Sequence, residues 1–115
     1  MEPKRNWARI FATALLGSMF LLFFSLSTRS QAGGEALFKA KCAACHGADG
    51  KGETAIGKAN KMNDLGSADV QKQSDADLTT TITNGKNKMP AYGKSLKPDQ
   101  IKDLVAYIRG FGKKS

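Results

Sequence analysis

Lys41-Cys42-Ala43-Ala44-Cys45-His46-Gly47 holds both cysteines and the single histidine of a 115-residue chain. Two thiols at this spacing lie on one face of a helical turn, and the histidine follows at once. This is the pattern of covalent c-type haem attachment. The thiols reach the two vinyl groups on one edge of a porphyrin and add across them as thioethers. The imidazole then projects at the iron, and the two small alanines let the backbone come close to the macrocycle.

Other chemistries of paired cysteines fit less well. A plain disulfide leaves His46 without a role. A thioredoxin-like redox pair needs a surrounding βαβ pattern, and none is visible. A zinc site wants four ligands, whereas the chain supplies two cysteines and one histidine. A second histidine ligand is excluded, so the other axial position falls to a methionine. Met62 and Met89 follow the cysteine motif. Met89 sits in Asn84-Gly85-Lys86-Asn87-Lys88-Met89-Pro90-Ala91-Tyr92-Gly93. This polar loop is nearly devoid of large aliphatics, and Pro90 fixes the backbone beside the thioether. Met62, in Lys61-Met62-Asn63-Asp64, lacks that rigid neighbour and reads more simply as packing. Met89 is therefore the expected second iron ligand.

The chain allows one domain and excludes a multidomain enzyme or a polytopic membrane protein. It is 41% hydrophobic and 24% charged, with a formal net charge of +8. Lys4, Arg5 and Arg9 precede an apolar run from Ile10 to Leu26, and Ser30-Gln31-Ala32 closes it. A basic start, an apolar middle and a small-residue exit describe a secretory signal peptide over residues 1–32, cleaved after Ala32. The competing reading is a retained membrane anchor, at the short limit for spanning a bilayer. Either way the rest of the chain is exported, to the periplasm or a thylakoid lumen. Residues 33–115 keep fourteen basic against nine acidic residues. A domain of this size needs help from a disulfide, a metal or a large cofactor. Without haem it is expected to be largely unfolded.

The matching positions, Gly34 and Phe38, Cys42-Cys45-His46, Met89-Pro90, and Leu104 with Tyr107, make the chain from Gly34 onward resemble the small monohaem class I c-type cytochromes. The resemblance implies an all-α, class I cytochrome c-like fold: three main helices wrapped around one covalently bound haem c, preceded here by the signal helix. It also implies a close crossing of the first and last helices at Gly34. Many relatives carry a proline whose carbonyl accepts the ring N–H of the ligand histidine. No proline lies between His46 and Met89, which leaves a carbonyl of the Thr54–Gly57 stretch, such as that of Ala55, to take the role.

The residues themselves predict three helices. The first runs from about Gly34 to Cys45, with Leu37, Phe38 and Cys42 at helical spacing and Gly47 ending it. The last starts at Pro98, carries Ile101, Leu104, Val105 and Ile108 on one stripe, and stops at Gly110. Between them, Ser74 with Asp77 forms a capping box and Asn84-Gly85 a stop. Thr79-Thr80-Thr81-Ile82-Thr83 would suit a strand, but Leu78 and Ile82 are four apart and no partner strand is evident. Ala48–Ser67 reads as a loop laid over the haem.

The expected activity is one-electron transport between redox partner proteins, with no catalysis, since no nucleophile–base pair or paired carboxylate falls in a recognisable motif. Lys39, Lys41, Lys51, Lys58, Lys61, Lys86, Lys88, Lys94 and Lys97 read either as a solvated surface or as a positive field that steers an acidic docking partner. Nucleic acid is excluded as a partner by export and by the lack of an aromatic-rich basic motif, and a monomer is expected. The alternatives are a ligand-binding haem domain, as a gas sensor or weak peroxidase, and a haem subunit of a larger membrane complex.

Overall fold

The computed structural model describes residues 31–114, whose regular elements are helices. The signal-peptide and anchor readings fall outside the described residues, except for Gln31 and Ala32, which are exposed at the start of the first helix. This helix, α1, covers 31–41 of the described chain; a turn at Cys42 separates it from α2 (Ala43–His46). Next come α3 (Ala55–Ala59), α4 (Ala68–Gln71), α5 (Asp75–Asn84) and α6 (Pro98–Gly112). Among the described residues no helix is long and apolar enough to cross a membrane.

The core forms where α1 meets α6. An ideal Cβ on Gly34 would lie 2.2 Å from the Asp103 carbonyl oxygen and 3.0 Å from Tyr107 Cβ. Only a residue without a side chain lets the two backbones approach so closely. One turn further along, Phe38 is 1% exposed, as is Leu104. The Phe38 ring lies 5.3 Å from the rings of both Tyr107 and Phe111, which are 5.1 Å apart edge to face. Such contacts add about 0.5–1.5 kcal/mol each beyond area burial. They also explain why α6 runs past Gly110 to Gly112, two residues beyond the expected stop. Phe111 is buried, and that packing outweighs the poor helix propensity of glycine.

The middle helix forms as its cap predicts. Ser74 Oγ accepts from the Asp77 N–H (3.0 Å), and Asp77 Oδ2 accepts from the Ser74 N–H (3.3 Å). Burial of Leu78 and Ile82 overrides the β-branched threonines between them. Two short helices were not foreseen. α3 interrupts the expected loop and α4 follows it, each too short to show a periodic pattern. α4 is tied to α6 by Arg109, whose guanidinium donates to the carbonyls of Gln71 (2.8 Å) and Gln73 and to Asp75 Oδ1 (2.8 Å). Asp75 is well exposed, so the ion pair itself contributes little. The carbonyl bonds carry the effect. Arg109→Met is expected to lower unfolding free energy by about 1–3 kcal/mol, read by denaturant titration.

Candidate functional site

A cavity of about 320 Å³ opens between the α1–α3 segment and the loop after α5, with Cys42, His46, Met62 and Met89 in its lining. Its floor is apolar, formed by Phe38, Val70, Leu78, Ile82, Leu104 and Ile108. Cys45 is half-buried beside it. Three of the four predicted site residues, Cys42, His46 and Met89, thus line one space, with Cys45 outside the lining, and the volume falls in the usual range for a cofactor site.

The wall bearing His46 is built from backbone. At Cys42 the helix breaks its register: the N–H groups of Cys45 (3.2 Å) and His46 (2.9 Å) both donate to Cys42 O. The carbonyls at the end of α2 are then satisfied from α3 and the chain before it. Gly52 N–H donates to His46 O (2.7 Å), and the Thr54 hydroxyl donates to Cys45 O (2.6 Å) while accepting from Gly57 N–H (2.9 Å). A Cβ on Gly57 would sit 2.2 Å from Gly52 O and 2.7 Å from Cys45 O. Met62 belongs to this same wall, because its N–H donates to Gly57 O (2.9 Å).

Met89 is carried by a different wall. Gly85 ends α5 with φ +73, and a Cβ there would meet Met89 O at 2.5 Å. Lys86 and Met89 exchange two backbone hydrogen bonds, at 3.2 and 2.9 Å, across a turn with Asn87 at φ 54. Further on, the N–H groups of Tyr92 and Gly93 each donate at 3.0 Å to Ile82 O and Thr83 O, two of the otherwise free carbonyls at the end of α5. With Pro90 beside it, Met89 therefore leaves from a fixed backbone, as the loop sequence predicts.

The electrostatics suit a neutral imidazole. Burial pushes the His46 pKa below its ordinary value, leaving the ring unprotonated near neutrality and free to bind a metal. Burial also raises the Cys42 thiol to about 11, with Cys45 adding to the shift. A reactive redox cysteine has the opposite shift, which argues against the thioredoxin-like reading. One expectation fails. Among the described residues, His46 Nδ1 is buried and has no hydrogen-bond partner, so Ala55 O does not accept from it. Ala55 opens α3, where a carbonyl points along the helix axis rather than toward a neighbour. The paired thiols, the neutral imidazole, the thioether and an apolar floor fit haem c.

Two features of the site escaped sequence reasoning: the Thr54 clamp and a hydrogen bond from the Tyr92 hydroxyl to Lys41 O (3.1 Å). Thr54 could have been found as an N-cap three residues before Gly57. The contact of Tyr92 spans 51 positions and leaves no local signal.

Comparison with known proteins follows the same lines. The family described as cytochrome C oxidase, cbb3-type, subunit III matches residues 29–108. Cytochrome c6 of Nostoc sp. (strain PCC 7120) is 39% identical over 106 residues, covering 89% of this chain and 92% of that protein. Cytochrome c6 of Gloeothece citriformis is 35% identical over 103 residues, 84% and 88% of the two chains. The cbb3-type cytochrome c oxidase subunit FixP of Azorhizobium caulinodans is 39% identical over 80 residues, 69% of this chain but 26% of that subunit. Among solved structures, the KustC0563 c-type cytochrome superposes with a TM-score of 0.64 at 32% identity, covering 68% of this chain and 95% of its own. Agreement over most of the length of the cytochrome c6 proteins, and with only a quarter of the oxidase subunit, places the chain in one family: it belongs to the small monohaem class I c-type cytochromes, which hold haem c.

Proposed function

We propose that the chain is an exported one-electron carrier, with haem attached through Cys42 and Cys45 and its iron held by His46 and Met89. The observation that carries this reading is the approach of His46 and Met89 to one cavity from two separately braced walls. Bound haem supplies a one-electron change at iron, and a thioether ligand favours the reduced state. The protein's contribution is rigidity. The Thr54 and Gly52 bonds hold the imidazole's backbone, and the Lys86–Met89 turn holds the thioether, so neither ligand has to move when charge changes.

Lys61, Lys86 and Lys88 are exposed members of the cavity lining, which contains no carboxylate. This supports docking of an acidic partner at the haem edge by a monomeric carrier. Raising ionic strength from about 0.01 to 0.15 M shrinks the Debye length from roughly 30 to 8 Å. Association with an acidic redox partner is then expected to slow at least tenfold, as read by stopped-flow absorbance. The leader over residues 1–32, removed after Ala32, supports delivery to the periplasm or a thylakoid lumen.

Carbon monoxide added to the reduced protein tests the carrier reading. A spectrum unchanged at neutral pH supports a filled sixth position. Ready formation of a carbonyl adduct would favour a ligand-binding haem domain instead.

A further inference from the structure

We infer that the Tyr92 hydroxyl is a latch that keeps Met89 on the iron, a positioning role resting on the His46/Met89 reading above. The latch closes on a carbonyl that the haem motif itself sets free. An unbroken helix would send the Cys45 N–H to Lys41 O. Here that N–H turns to Cys42 O, and the Tyr92 hydroxyl donates to Lys41 O instead (3.1 Å). Lys41 immediately precedes the first attachment cysteine. Tyr92 stands three residues after Met89, and its own backbone is fixed to Ile82 O (3.0 Å) and receives the N–H of Leu96 (2.9 Å).

A single side chain therefore ties the wall carrying the thioether to the wall carrying the imidazole. Tyr92 also lines the cavity, so the tie lies beside the space it closes. Release of the thioether requires the Met89 turn to move away from the cavity, a local opening rather than global unfolding. Breaking the hydroxyl bond raises the population of that open state without removing a ligand. The effect is about fivefold, the factor that one net hydrogen bond supplies.

Free imidazole is the probe, because it binds ferric iron only where Met89 has left. Its apparent affinity scales with the open fraction. Wild type, Tyr92→Phe and Tyr92→Leu are titrated as haem-loaded proteins, with the sulfur-to-iron charge-transfer absorption recorded before each titration. The Phe and Leu variants both lack the hydroxyl, and either one that matures suffices. Arg109→Met is the control, since it weakens the fold through its bonds to Gln71, Gln73 and Asp75 and leaves the Tyr92–Lys41 bond intact. The expected result is about fivefold tighter imidazole binding in the Tyr92 variants and none in Arg109→Met. Unchanged affinity in the Tyr92 variants, or an equal rise in Arg109→Met, overturns the latch while leaving the ligand reading intact. Absence of the sulfur absorption from wild type would instead refute Met89 ligation and the latch with it.

Discussion

Met89→Ala is expected to keep its haem and lose its sulfur ligand. The reduction potential should fall by a substantial part of the roughly 0.8 V over which axial ligands tune haem iron, and the reduced protein should then bind carbon monoxide. Met62 lines the same cavity, so the matched Met62→Leu variant decides between them. Met62 is fastened to Gly57 O on the wall that also carries His46, whereas Met89 stands on the separate Lys86–Met89 turn, which is why the proposed ligand is Met89. Met62→Leu should leave potential and sulfur absorption unchanged. Reversal of the two phenotypes, seen by redox titration and near-infrared absorption, would exchange the assignments.

The second large effect concerns two glycines on the crossing helices. In a solvent-exposed helix, glycine to alanine stabilises by about 1 kcal/mol. Gly110 is half-buried but has open space for a Cβ, with nothing within 4 Å among the described residues, and Gly110→Ala should gain about 0.5–1 kcal/mol. Gly34 is the opposite case. A methyl group 2.2 Å from Asp103 O cannot be accommodated by turning a side chain, so α1 must move off α6. Phe38 would then lose its contacts with Tyr107 and Phe111. Gly34→Ala is expected to lose at least 3 kcal/mol, in the range of severe overpacking. Chemical denaturation of the haem-loaded variants measures both; equal and small effects would refute the close crossing.

These residues also show what could be read in advance. The cysteine–histidine run, the Ser74–Asp77 cap and the apolar stripe of α6 are local signals, and each reappears as structure. Gly34 was placed at the helix crossing by family resemblance, and its contacts with Asp103 and Tyr107 agree. The misses share a cause. α3 and α4 have five and four residues, below the length at which periodicity speaks, and tertiary contacts hold them in place. The extension of α6 depends on Phe111 meeting Phe38, far away in sequence. At Ala55 the expectation rested on a missing proline, whereas the Thr54 cap turns the chain into a helix and directs that carbonyl elsewhere. The signal-peptide reading of residues 1–32 rests on a sequence pattern that, but for Gln31 and Ala32, falls outside the described residues.

The central claim is that Cys42 and Cys45 hold haem, and intact mass spectrometry tests it most directly. The chain is expressed in a host that matures c-type cytochromes, purified from the exported fraction, and weighed under denaturing conditions that strip non-covalent ligands. The expected mass is that of residues 33–115 plus one haem, with the adduct lost in Cys42→Ser/Cys45→Ser. A bare polypeptide mass from the unaltered sequence would contradict it.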